Sequence, residues 1–305
     1  AEVYQGAEPI VQALKNGAQI VVTGRIADPS IFAAPMMFEY GWGMNDFMRL
    51  GLANGIGHLM ECGAQVTGGY FADPGFKDIP RPWDLGFPIA EVDNDGTAII
   101  TKLEGTGGVI NAMTIKEQLL YEVHDPYNYI TPDVVVDFST TRIREVAENR
   151  VMVSGISGKP RTPTLKVSIG CEEGFIGEDM FFYAGEGALQ RAKLAESILR
   201  ERFKLVELKA EELRIDYLGL NAIHGDMTPE VDHEPYEVAV RVAARTTTRE
   251  EAMKIGREVD GMAVSGVGMT GKRVPHQDRT REIIGVWSSL IDRSKISPSI
   301  KMFES

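Results

Sequence analysis

Apolar and polar positions over the first seventy residues alternate between a helical and a strand-like rhythm. Pro9 suits the first turn of a helix running to about Asn16, and Gly17 follows as a stop. The run Ile20-Val21-Val22 then reads as a buried strand ending at Thr23-Gly24. Asp28-Pro29 reads as an N-cap with proline at the first helical position. The helix that follows, to about Tyr40, is apolar nearly all round (Ile31, Phe32, Met36, Met37, Phe38) and is expected to be buried. Asn45 or Asp46 caps a further helix to Cys62, with Gly63 as its stop. The segment from Gly17 to Gly24 has an echo from Gly63 to Gly69: a helix ending on glycine, a short strand, then Thr-Gly. Joints of this kind predict successive units of a parallel sheet.

The rhythm then shortens. Two alternating runs, 87–92 and 97–102, flank Asp93-Asn94-Asp95-Gly96 and predict a hairpin. A Thr114-Ile115-Lys116-Glu117 capping box predicts a helix ending near His124-Asp125-Pro126. Residues 134–183 alternate with period two. From about 164 the order reads strand, helix (186–203), strand (213–220), strand (236–245), helix (248–262), strand (283–290), the βαββαβ order of ferredoxin-like domains. The expected fold is therefore α/β: a parallel-sheet half over 1–130 and a β-rich, ferredoxin-like half over 131–305.

Charge narrows the function classes. A formal net charge of −12 disfavours nucleic acid as the partner. No apolar run reaches the ~18–20 residues that span a bilayer, and no secretory pattern opens the chain, so a cytoplasmic protein with no membrane partner is expected. The two cysteines, Cys62 and Cys171, have no CxxC spacing and read as free thiols. HExxH, paired histidines at helical spacing and Asp-rich loops are missing, so no metal is expected. The GxSxG elbow and nucleotide-type glycine motifs are missing as well, and no cofactor is predicted.

Candidate chemistry gathers on three loops and two helices. Arg25, just ahead of Asp28, either clamps an anion beside helix-start amides or pairs with Asp28 to fix the turn. Thr67-Gly68-Gly69 and the loop of Thr106, Gly107 and Gly108, with Lys102 nearby, are candidate anion cradles or plain turns. His58 and Glu61 are three apart and share a helix face; Glu117 and His124, with Asp125, lie on the helix that follows the glycine loop. A His–carboxylate pair is equipment for general acid–base catalysis and is also a way to satisfy a half-buried histidine.

The strings VVTGRIADPSIF, HLMECGAQVTGGYFAD, GFPIAEV, TKLEGTGG, EQLLYEVHDP, ITPDVVVDF, LKVSIG and RIDYLGLNAIHG, spread over the whole chain, resemble the AtuA-type family of acyclic terpene utilisation. The resemblance implies breakdown of branched acyl-CoA intermediates, with a hydratase or lyase step on a small carboxylate or a CoA thioester. It carries over no catalytic residue. The rival expectation is an accessory subunit of an acyl-CoA-processing complex. The resemblance also implies further N-terminal residues ahead of Ala1, from which two partners are expected: a second polypeptide supplying that segment, and copies of the pair in a symmetric oligomer. A small anionic molecule is the expected ligand.

Overall fold

The computed structural model describes residues 1–229, 234–273 and 279–303. By contact they form two compact units, Ala1–Ile169 with Ser288–Ser305, and Gly170–Trp287.

The first unit opens with strand β1 (Glu2–Val3) and helix α1 (Glu8–Lys15), which carries proline in its first turn. No strand forms at the Ile20-Val21-Val22 run, a correction to the expected one: Ile20 is 85% exposed and Val22 92%. A strand persists only where a neighbour offers a ladder, and here the pairing is a single bridge from Gln5 to Ile26. Helix α2 (Asp28–Tyr40) starts at Asp28 itself, without a side-chain cap, and buries Ala33, Ala34 and Met37 while leaving Ile31 and Phe38 largely exposed. Asp46 caps helix α3 (Phe47–Glu61) by accepting from the Arg49 amide, 3.3 Å. Residues 50–59 of α3 are all buried, so this helix is the axis of the unit. After it, where Val66-Thr67 predicted a strand, Gly63–Gln65 form a 3₁₀ turn that continues into further turns.

The expected hairpin is present as β2 (Pro88–Val92) and β3 (Ala98–Lys102). Helix α4 (Ala112–Leu120) starts before the expected box: Asn111 caps it, accepting from the Thr114 amide at 3.0 Å, while Thr114 Oγ1 accepts from the Asn111 amide at 3.1 Å. Five short strands follow: β4 (Tyr129–Ile130), β5 (Val135–Asp137), β6 (Arg142–Ala147), β7 (Arg150–Ser154) and β8 (Ser157–Lys159). They build two antiparallel sheets, β2-β3-β7-β6 and β4-β5-β8. Strand β9 (Thr164–Ala184) begins in this unit and pairs with β1, Glu2 opposite Ser168. Every ladder with a described register is antiparallel, and the bridges Gln5–Ile26 and Leu85–Gly107 are parallel. The parallel sheet expected of the first half is thus replaced by helices packed with antiparallel sheets.

In the second unit, α5 (Ala188–Leu205), β10 (Glu212–Leu218), β11 (Glu237–Thr246), α6 (Arg249–Ser265), β12 (Gly271–Lys272) and β13 (Thr280–Asp292) follow β9. Thr248 caps α6, accepting from the Glu251 amide. The three strands expected at 213–220, 236–245 and 283–290 lie in one sheet, ordered β10-β11-β9 with β12 and β13 on β9. Alternation along them sends Phe181, Tyr183, Val240, Val242 and Ile215 into a core shared with Leu199 of α5 and Ile255 of α6. The Gly261–Asp278 stretch expected as one loop holds the end of α6 and β12; its residues 274–278 lie outside the described residues. Among the described residues no helix is long and apolar enough to cross a membrane.

Candidate functional site

The first unit contains a cavity of about 310 Å³. Its wall brings together Asp28 and Pro29 from the start of α2, Glu61 from the end of α3, Glu122 beyond α4, Tyr129 and Ile130 of β4, and Lys166 of β9. Glycine fixes part of this geometry. A Cβ on Gly57 would sit 2.3 Å from the Pro29 carbonyl oxygen, so only glycine lets α3 lie against the first turn of α2. One helical turn later α3 delivers Glu61 to the cavity beside Asp28 and Pro29.

His58 stands behind Glu61. It is 1% exposed, and its Nδ1 lies 2.8 Å from Glu61 Oε1. Against an ionised carboxylate, which can only accept, Nδ1 would be the donor of this bond. His58 Nε2 has no hydrogen-bond partner among the described residues. The ring is held by Tyr129 and Phe138, with centroids 5.0 and 6.0 Å away, and its carbonyl accepts from Gln118 Nε2 at 3.0 Å. Burial pushes the Tyr129 phenol well above the usual tyrosine range, and the charges of Glu61, Asp28 and Glu122 push the same way. Tyr129 is therefore a protonated donor at neutral pH, on the same wall as Glu61. Burial also raises the Cys62 thiol, against a lowering contact from Gln118. Cys62 and Cys171 are both free and half-buried.

Two cations lie over the Tyr4 ring. Lys166 Nζ lies 5.1 Å from the centroid of the Tyr4 ring, and the Arg25 guanidinium lies over the same ring, also at 5.1 Å. Tyr4 and Lys166 line the cavity; Arg25 does not. The ion pair of Arg25 is with exposed Glu2, at 3.7 Å, and not with Asp28.

The glycine loops meet each other rather than this cavity. Thr67 Oγ1 donates to the Gly86 carbonyl at 2.7 Å, and the Thr67 carbonyl accepts from the Val109 amide. The amides of Gly68, Gly69, Gly107 and Gly108 donate to the carbonyls of Gln65, Ala64, Asp84 and Pro80. Lys102 Nζ donates to the Thr106 carbonyl at 2.8 Å. These groups already have partners inside the loop cluster. Glu117 forms a half-exposed ion pair with Lys77, 2.7 Å, and His124 is exposed. Of the residues singled out in the sequence, Asp28 and Glu61 reach the cavity, with His58 directly behind.

Tyr4, Glu122, Tyr129 and Lys166 carried no sequence signal. Tyr129 immediately precedes the ITPDVVVDF string, and an aromatic at the edge of a polar loop was the sole hint available. Among the described residues no group of three or more His, Cys, Asp or Glu could hold a metal ion.

A family model described as acyclic terpene utilisation family protein AtuA matches residues 1–302. No curated protein and no solved structure matches the chain.

Proposed function

Because the chain belongs to the acyclic terpene utilisation (AtuA) family, we propose that it serves a catabolic route as an acid–base enzyme of the hydratase or lyase class. The observation that carries this reading is Glu61, on the cavity wall and hydrogen-bonded to buried His58 at 2.8 Å. Glu61 takes a proton from the carbon beside the substrate's carboxyl group. The Tyr129 phenol, kept protonated by its surroundings, delivers one to the departing oxygen, and water leaves. Hydration runs the same steps in reverse. The positive charge of Lys166 offsets the extra negative charge that builds at the carboxyl group during proton removal. The test is an absorbance assay of double-bond loss with small unsaturated carboxylates and their CoA thioesters. Glu61→Gln is expected to lower kcat by about 10²–10⁴, with an unchanged unfolding midpoint. Equal turnover in the variant overturns the assignment.

A second reading, an accessory role beside another polypeptide, draws support from the Ile20-to-Val22 segment, which is exposed and joins no strand ladder. An added strand would pair there and cover both side chains. Solution mass of the cellular complex, with Ile20→Asp/Val22→Asp as the disrupting variant, tests it, and the same measurement tests whether such pairs form a symmetric oligomer. In the second unit, the order β13-β9-β11-β10 supports a ferredoxin-like reading of that sheet.

A further inference from the structure

The acid–base reading leaves open whether the substrate is a free acid or a CoA thioester. We infer that the cavity takes a small, free carboxylate, with Lys166 as its anion subsite, and that a CoA thioester does not fit. This inference rests on the assignment of Glu61 as the base.

Three observations converge. The first is size: about 310 Å³ lies at the low end of the ~300–1,000 Å³ that small-molecule sites span. That space holds a short acid, and a thioester would have to leave its nucleotide outside. The second is charge. Among the described residues, the ionisable side chains on the wall are Asp28, Glu61 and Glu122, the phenols, and one cation, Lys166. Asp28 and Glu122 are solvent-exposed, as are Lys166 and Arg25; because the carboxylates on the wall outnumber its one lysine, a multiply charged nucleotide is disfavoured more than a singly charged acid. The backbone amides that could have cradled its phosphates, on the glycine loops, are already bonded within their own cluster.

The third observation is the state of Lys166. Its ammonium sits over the Tyr4 ring at 5.1 Å and has neither an ion pair nor a hydrogen bond among the described residues. A ring face attracts the charge without consuming its N–H donors, so the group is held in place with its donors free. Arg25 over the same ring adds positive potential at this end of the cavity. The lining also holds Pro29, Ile130, Pro132 and Leu165, against which a short hydrocarbon body can lie, beside Thr131, Thr162 and Thr164, whose hydroxyls can bond to a hydroxyl of the ligand.

The test uses three related probes: 3-hydroxy-3-methylbutanoate, its methyl ester and its CoA thioester. Each is titrated calorimetrically into the wild-type chain and into Lys166→Met, Lys166→Arg and Glu61→Gln. The free acid is expected to bind the wild type at least about tenfold more tightly than either the ester or the thioester. Lys166→Met should weaken the acid by about tenfold or more, and Lys166→Arg should restore it to within about threefold. The ester, without a charge, should bind both alike. Three results overturn the inference: thioester binding as tight as that of the acid, no loss in Lys166→Met, or no binding of the acid at millimolar concentration. Glu61→Gln separates the two claims. It should retain acid binding within about threefold while losing turnover. If it turns over normally, the base assignment falls and the carboxylate subsite stands.

Discussion

Asp133 ties together the segments that frame the cavity, and its removal has a calculable cost. Its carboxylate accepts from the Ala7 amide at 2.8 Å and from Ser30 Oγ at 2.6 Å, linking the starts of α1 and α2, and it is 1% exposed. Thr131 and Pro132, immediately before it, line the cavity. Each hydrogen bond to a charged acceptor contributes roughly 1.5–3 kcal/mol. Against this stands desolvation, which raises the Asp133 pKa above the ordinary carboxylate range despite both bonds and the charges of Arg161 and Arg293. Desolvation relief offsets part of the loss, so Asp133→Ala should cost about 2–4 kcal/mol, with the Ala7 amide left unsatisfied. Asp133→Asn keeps the volume and one acceptor, and Ser30 can turn to accept from the new amide; its cost should be about 1 kcal/mol or less at neutral pH. The sign of the pH effect follows from the raised folded pKa. Tight proton binding in the folded state contributes stability below the unfolded pKa, and that contribution is lost as pH rises through the folded value. The wild type should therefore lose stability relative to Asp133→Asn as pH rises across this window. Urea unfolding followed by circular dichroism at several pH values between about 4 and 7 measures both effects. A loss below about 1 kcal/mol in Asp133→Ala, or a wild-type-to-Asn difference that does not vary with pH, refutes the reasoning.

Other consequences are as direct. Gly57→Ala should destabilise by about 2 kcal/mol or more, since its Cβ meets the Pro29 carbonyl at 2.3 Å; thermal unfolding reads this, and a neutral result contradicts the close approach. Lys102→Met should cost about 1 kcal/mol through its bond to Thr106 while leaving carboxylate affinity unchanged in titration, because the loop cluster is structural. Tyr129→Phe should reduce kcat by about 10²-fold with KM little affected, and the wild-type phenol should ionise in ultraviolet titration only above the usual tyrosine range.

Local chemistry in the sequence located the elements far better than their partners. Pro9, Asp46 and Thr248 mark true helix starts, and the Asp93-to-Gly96 turn marks a true hairpin, because caps and turns are decided within a few residues. Ile20-Val21-Val22 misled because a strand is made by the neighbour it pairs with, which lies outside the window being read. The glycine loops show a related point: a glycine amide looks available until the fold assigns it an acceptor, as Pro80 is for Gly108. In the site, His58 and Glu61 were legible because both sit on one turn of one helix. Tyr129 and Lys166 come from strands β4 and β9, and only tertiary packing brings them to the same wall.

The contact between Gly57 and Pro29 bears on how this protein can be altered in the laboratory. The position of Glu61 depends on backbone meeting backbone, with no side chain as intermediary. Conventional alanine scanning deletes side chains and leaves such junctions untouched, so it would map the chemistry and miss the scaffold. Libraries aimed at new substrates should diversify Ile130, Pro132 and Leu165, which shape the hydrocarbon wall, and hold the glycines of α3 fixed. Gly51 on the same helix meets backbone just as closely, the Ser157 carbonyl at 2.3 Å, and Gly55 meets the Ile156 side chain at 2.7 Å. The three glycines of α3 thus constrain the turn that leads to Glu61, the residue proposed as the base.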